Sequence, residues 1–135
     1  MEVEAFLLCD AAADQYGKLN LLGAFDAIMA GNAPVMHPQF AVALRIRFNK
    51  SESANHPFRI NIVNEDGKSI LGKPVDGNVN VQIQQAEESV VVNLVVNFRD
   101  IRFEQFGRYS VDLTMDGKQR GALPLFIKQS QQRPS

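Results

Sequence analysis

Apolar residues recur at every second position through most of this sequence, and that spacing constrains the fold more than any other feature. Successive side chains of a β-strand point to opposite faces, so this alternation predicts strands with one buried face. The clearest run alternates apolar residues with smaller or polar ones over residues 40–48. Similar runs cover residues 58–62, 79–83, 90–98, 109–115 and 123–127.

Turn-forming dipeptides separate the apolar runs. Asp66-Gly67, Asp76-Gly77 and Asp116-Gly117 each predict a reversal, because both residues tolerate the positive φ of a tight hairpin. The segment Cys9–Tyr16 contains three consecutive alanines before Gly17 and is interpreted as a turn or a short helical segment. About eight or nine short strands with regular turns predict an all-β fold, an antiparallel β-sandwich.

The segment from Phe103 to Gly117 favours a particular kind of sandwich. Its Gly107-x-Tyr109 pattern at the start of a strand resembles the corner tyrosine of immunoglobulin-like domains. In such a corner, the phenol hydroxyl bonds the backbone of the preceding connection, where the chain crosses between sheets. We therefore expect an immunoglobulin-like sandwich.

The length of 135 residues suits one compact domain, which we place at residues 1–128. A chain of this size buries enough surface to form a core without disulfides or metals. The remaining residues, 129–135, are polar and are predicted to form a flexible tail.

Composition argues against several classes of protein. The 14 Lys and Arg residues balance 15 Asp and Glu residues, and no basic run is present, so no nucleic-acid partner is predicted. No stretch approaches the roughly 20 apolar residues that span a bilayer, so no membrane association is predicted. The acidic start of the chain and the single cysteine favour a cytoplasmic protein.

The residues with the most reactive side chains do not form a recognisable catalytic or metal-binding motif. Cys9 is interpreted as a buried core residue rather than a nucleophile, because free cysteine is among the most buried residue types. His37 and His56 each precede a proline and are placed in loops before strands. Their spacing matches no zinc motif. We therefore predict no catalytic residue, no metal and no cofactor.

Polar residues near the N-terminus are the first candidates for a binding site. Asp10, Asp14, Lys18 and Asn20 cluster around the first connection, where they either bind a small polar ligand or satisfy turn N–H groups. Asp26 lies in an otherwise apolar stretch and is expected to be half-buried. Such a carboxylate either pairs with a partner or acts as a general base.

Three arginines form a second candidate group. Arg45 and Arg47 project from the polar face of one predicted strand, and Arg59 projects from the next. If these two strands pair, the three side chains form a basic strip that suits an anionic partner. Ordinary salt bridges, with Asp112, Glu65 and Glu104 as available acids, are the alternative.

Two N-terminal stretches are apolar on both faces. Ala5–Cys9 predicts a strand covered on one side by the other sheet and on the opposite side by a loop or second subunit. Residues 18–30 share this character, and Gly23 within them indicates a bulge or a close backbone approach.

The same region carries a family resemblance. The runs Phe-Leu-Leu-Cys-Asp at residues 6–10 and Gly-Lys-Leu-Asn at residues 17–20, followed by Leu-Gly-Ala-Phe-Asp at residues 22–26, resemble a small bacterial family of unknown function. The resemblance continues through most of the chain. It implies a stand-alone bacterial protein and no particular activity.

These observations favour a non-enzymatic interaction or assembly module that forms a homo-oligomer and has a protein partner. Apolar residues on nominally outward faces, namely Val63, Val91 and Val95, are the main motivation. The alternative is a small-ligand binder or enzyme with a polar site around Asp10 and Asp26, which requires a concave pocket there. A structural component of a phage or secreted assembly is a third hypothesis.

Overall fold

The computed structural model describes residues 1–130, and its regular elements are nine β-strands and one short 3-10 helix, Lys50–Glu52. The strands are β1 (Glu2–Gln15), β2 (Lys18–Ala24), β3 (Ala27–Ala30), β4 (Val35–Asn49), β5 (Ala54–Val63), β6 (Val75–Val81), β7 (Ser89–Phe103), β8 (Gly107–Met115) and β9 (Lys118–Gln129).

The strands form two packed sheets. Sheet 1 has the order β2-β1-β4-β7, and sheet 2 has the order β3-β9-β8-β5-β6. Neighbouring strands are antiparallel except β3 and β9, which are parallel. The predicted all-β sandwich is therefore confirmed.

The core lies between the sheets and follows the alternation of the sequence. Phe40, Val42 and Leu44 of β4 face Ile60 and the inward residues of sheet 2, and all four are fully buried. Each such side chain stabilises the fold by about 1.5–3 kcal/mol through removal of apolar surface from water. The fully buried cluster explains why the apolar residues of β4 recur at every second position.

Two of the three predicted reversals are present. Asp116 and Gly117 adopt φ values of 55° and 77° and form the tight turn between β8 and β9. Gly67, with φ of 78°, lies in the turn that follows β5. The predicted reversal at Asp76-Gly77 is wrong, because both residues lie within β6. There Gly77 pairs with Phe58, whose ring occupies the space that a side chain would need.

The interpretation of Cys9–Tyr16 as a turn or short helix is also wrong. β1 continues to Gln15, and the turn is formed by Tyr16 and Gly17, with φ values of 52° and 79°. Pairing with β2 along Ala11–Gln15 satisfies the backbone of this segment and outweighs the weak helix propensity of its alanines.

The connection from β7 to β8 crosses from sheet 1 to sheet 2, and Tyr109 near the start of β8 bonds back to it. Tyr109 is buried, and its hydroxyl donates a hydrogen bond to the carbonyl oxygen of Gln105 at 2.8 Å. This is the contact expected from the Gly107-x-Tyr109 pattern. It supports the immunoglobulin-like assignment, which stays a prediction beyond the sandwich itself.

The sheets end in strands of different length. Sheet 1 ends in β2 and β7, and sheet 2 ends in β3 and β6. β7 has 15 residues, whereas β2 and β6 have seven each and β3 has four. The predicted polar tail begins with the last residue of β9, and its residues 131–135 lie outside the described part of the chain.

Candidate functional site

The hairpin made by the second half of β1 and by β2 folds back over the outer face of sheet 1. Ala5 pairs with Arg45, and Arg45 pairs with Asn93 in β7, so these residues form one row about 10 Å wide. Asp14 follows Ala5 by nine positions, which in a straight strand span about 30 Å. Yet the Asn93 amide reaches Asp14 at 3.0 Å. The strand must therefore reverse its course, and we call residues 10–24 the flap.

The bend of the flap lies where Asp10 and Gly23 face each other. Gly23 has φ of 67°, which favours glycine. A Cβ atom at this position would clash with Oδ2 of Asp10, so the backbone and the carboxylate approach closely. The close backbone approach predicted for Gly23 is confirmed.

The flap covers a small apolar patch on sheet 1. Cys9, Ala41 and Ala43 point away from the main core but are 0% exposed. The flap residues Leu19 and Leu21 pack against them, together with Ala12 and Val95. Coverage by a segment of the same chain thus explains the outer-face apolar residue Cys9, whereas Leu7 on the same face is 39% exposed.

Burial decides the chemistry of Cys9. Its thiol contacts the carbonyl oxygen of Ala41 at 3.7 Å. Desolvation, reinforced by the negative charge of Asp10, raises the pKa of the thiol. A protonated thiol beneath a closed flap is a poor nucleophile, which agrees with its interpretation as a core residue.

Hydrogen bonds hold the tip of the flap on sheet 1. The amide nitrogen of Asn93 donates to Asp14 Oδ1 at 3.0 Å and to the carbonyl oxygen of Gly17 at 3.1 Å. Arg45 donates to Asn93 Oδ1 at 3.2 Å and to the Gly17 carbonyl at 3.4 Å. We call Asp14, Gly17, Arg45 and Asn93 the tip contact.

A single carboxylate compensates both arginines of β4. Nε of Arg45 lies 3.0 Å from one oxygen of Glu4, and Nε of Arg47 lies 2.8 Å from the other. The hydrogen bond from Arg47 is the main reason why the pKa of Glu4 is lowered. Arg47 also donates to the Ser89 hydroxyl at 2.8 Å. The acid that pairs with these arginines is thus Glu4, which the sequence did not single out.

Arg59 does not join them. It lies on β5 in sheet 2, whereas Arg45 and Arg47 lie on β4 in sheet 1, so the predicted basic strip is wrong. Its guanidinium forms a bidentate ion pair with Asp76, in which Nε donates to Oδ1 at 2.6 Å and Nη2 donates to Oδ2 at 3.0 Å. This pairing lowers the pKa of Asp76 and raises that of Arg59.

The remaining polar candidates are exposed. Asp10, Lys18 and Asn20 lie on the flap, and the Asn20 amide donates to the Lys18 carbonyl at 3.1 Å. Asp26 is exposed as well, and the expectation of a half-buried carboxylate is wrong. The chain bends at Asp26 on its way from sheet 1 to sheet 2, so its side chain is outside the strand pattern.

Both histidines lie within strands, and their placement in loops is wrong. His37 lies in β4 and His56 in β5. His56 is buried against Phe48, with Nδ1 2.7 Å from Asp116 Oδ2 and Nε2 2.7 Å from the Glu52 carbonyl oxygen. Burial disfavours its charged form, but these two contacts outweigh burial and raise the pKa of His56. The alternation His56, Phe58, Ile60 is the sequence signal that places it inward.

The described surface has shallow depressions. One, of about 300 Å³, is lined by Ala11–Ala13 and Asn20–Leu22 on the flap. Another, of about 250 Å³, is lined by Asp10, Phe25, Met29 and His37, among others, and Asp26 does not line it. Within residues 1–130, no three His, Cys, Asp or Glu side chains are grouped so that they could hold a metal ion.

No helix among residues 1–130 is long and apolar enough to cross a membrane.

Comparison with known proteins identifies the family of the chain. No curated protein matches the chain. A family model described as a family of unknown function (DUF6941) matches residues 4–128, a range that includes all three runs of the N-terminal resemblance. The chain therefore belongs to this family of unknown function.

Proposed function

We propose that this protein is a non-enzymatic interaction module that associates with itself through the free edge of sheet 1. The observation that carries the proposal is the character of β7. Its first ten residues, Ser89–Phe98, contain no charged residue and no proline. Among residues 1–130, their backbone bonds only to β4, so one side of the strand has no backbone partner.

A free edge of this kind is a template for another strand. Proteins that remain monomeric commonly protect their edges with short strands, charges or proline. The other three edges of the sandwich follow that rule, since β2, β3 and β6 are short and β6 carries Asp76. β7 is long and apolar, and several of its side chains, Val91 and Val95 among them, are neither buried nor fully exposed.

The polar candidate residues support the same proposal because they are engaged in contacts within the chain. Arg45 and Arg47 share Glu4, Arg59 pairs with Asp76, and Asp14 binds Asn93. These groups hold the fold and the flap together, and their charges are compensated within the chain. Exposed surface pairs of this kind add little stability, so their main effect is to fix geometry.

The test is the mass of the protein in solution against concentration. By light scattering, we expect the wild type to approach twice the chain mass of 15.0 kDa as concentration rises. Val91→Lys, which places a charge on the free edge, should remain at the mass of one chain. Asn80→Lys is the matched control, because it adds the same charge to β6, the free edge of sheet 2. A wild type that stays at one chain mass throughout would refute the proposal.

One observation favours a second candidate function, a small-ligand site. Asp10 and His37 line the same depression of about 250 Å³ beside Phe25. A carboxylate and an imidazole next to an aromatic ring suit a small polar ligand. Amide shift changes confined to these residues on addition of polar metabolites would support it, and an unchanged spectrum would remove it.

A further inference from the structure

We infer that the partner of β7 is β7 of a second copy, paired antiparallel about a two-fold axis at Asn93. This inference rests on the proposed function and specifies its geometry. The two sheets would join into one continuous sheet across the interface, with the same surface patch contributed by both copies.

A two-fold axis restricts which residues can face each other. In antiparallel edge pairing, the axis is perpendicular to the sheet, so residue i faces residue j only when i and j lie on the same face. Between Ser89 and Arg99 of β7, the odd-numbered residues share the outer face with Asn93, and the even-numbered residues face the core. The axis therefore passes midway between the two copies of one residue, and these two copies face each other.

Each choice of axis residue gives a different pairing register, and the registers differ in which outer-face residues of the two copies face each other. With the axis at Asn93, Val91 faces Val95, Ser89 faces Asn97, and Asn93 faces itself. Every outer pair then joins polar with polar or apolar with apolar. With the axis at Leu94, Val91 faces Asn97 and Asn93 faces Val95, so each of these pairs is mismatched. With the axis at Val95, Val91 faces Arg99.

Charge and backbone geometry at the strand ends agree with the register at Asn93. It places Arg99 of one copy next to the loop that carries Glu87 of the other, which brings opposite charges together. Asp100 adopts φ of 52°, which interrupts the regular strand just beyond Arg99. The regular edge therefore ends where the paired segment ends.

The flap gives a further reason to place the axis there. Its tip is bound to Asn93, and the adjoining Tyr16 is 96% exposed. In the two-fold pair, the tips of the two flaps lie beside the axis, so Tyr16 of each copy adjoins the other copy. Large exposed aromatic side chains are typical of protein interfaces.

Disulfide cross-linking tests the register directly. In a Cys9→Ala background, the double variant Val91→Cys/Val95→Cys places two facing cysteine pairs across the axis at Asn93. Facing residues in antiparallel strands lie about 4.5–5.5 Å apart, within the range of a disulfide. Within one chain, the two cysteines are about 13 Å apart and cannot bond.

Mild oxidation should convert most of this variant to a covalent dimer on a non-reducing gel. The matched control is Val91→Cys/Asn97→Cys, which faces the two cysteines only when the axis lies at Leu94. Far-UV circular dichroism before oxidation checks that each variant folds. Efficient cross-linking of the control in place of the first variant would overturn the register.

The outcomes separate this inference from the proposed function. If neither pair cross-links while the wild type dimerises and Val91→Lys does not, the edge is used but the inferred register is wrong. If the wild type never dimerises, both fail. If the folded background variant dimerises and cross-links only through Val91 and Val95, both are supported.

Discussion

Replacement of Asn93 by alanine should release the flap and expose Cys9. Asn93 donates two hydrogen bonds to the flap, one to Asp14 and one to the Gly17 carbonyl oxygen, whereas its bond from Arg45 lies within sheet 1. A typical hydrogen bond contributes about 0.5–1.5 kcal/mol, and partial exposure places these near the lower limit. Loss of the two flap bonds should therefore stabilise the open flap by about 1–1.5 kcal/mol relative to the closed flap.

Thiol labelling converts this free energy into a rate. Cys9 is fully buried beneath the flap, so a thiol reagent reaches it only through an open state. When opening is fast relative to labelling, the rate is proportional to the open fraction. A change of about 1–1.5 kcal/mol then accelerates labelling about 5- to 12-fold.

Asn97→Ala is the matched control for this experiment. Asn97 lies on the same strand and face as Asn93, is exposed, and forms no side-chain hydrogen bond within residues 1–130. Its labelling rate should equal that of the wild type. The role assigned to the tip contact would be refuted if Asn93→Ala were labelled at the wild-type rate, or if both variants accelerated equally.

The buried histidine and the bend of the flap yield two further predictions. Because folding raises the pKa of His56, protonated His56 stabilises the fold in full below about pH 6.5, and this contribution is lost as pH rises through the folded-state pKa. Asp116→Asn should therefore lower the free energy of unfolding by about 1.5–3 kcal/mol in mildly acidic buffer. This loss of stability should become smaller at alkaline pH. Urea titrations that give the same loss at every pH would contradict the prediction. Alanine at Gly17 or Gly23 must adopt positive φ, which costs about 1–2 kcal/mol. Gly23→Ala should lower the free energy of unfolding by about 0.5–1.5 kcal/mol more than Gly17→Ala does, because Asp10 must leave its rotamer. Adding Asp10→Ala to the Gly23→Ala chain should remove this extra loss.

The alternation of apolar residues is sufficient to predict most of the strands and much of the core, but not the second half of β1. Burial on one face is a local property of each strand, so β4, β8 and the inward residue Tyr109 could be identified without knowledge of their neighbours. The same pattern extended to His56 would have placed that side chain inward, against the loop position assigned to it from the following proline.

The arrangement of the strands could not be obtained in the same way. A connection such as Lys50–Glu52 looks the same whether the chain returns beside β4 or crosses to the other sheet. It crosses, so Arg59 is separated from Arg45 and Arg47. The flap was missed for a related reason. Its apolar residues indicated coverage on both faces, but the reversal depends on a bend at Gly23 whose direction the sequence does not specify.

The parallel pair of β3 and β9 has a consequence for synthesis of the protein. Backbone bonds from Phe126 and Ser130 to Asp26 and Ala30 join an early segment to a late one. Because the chain is synthesised from its N-terminus, Ala27–Ala30 cannot pair with β9 until residues 118–130 have been synthesised. Domains dominated by such distant pairings fold in milliseconds to seconds, with their apolar edges open to other chains meanwhile. The edge strand β3 therefore lacks its neighbour β9 until residues 118–130 have been made.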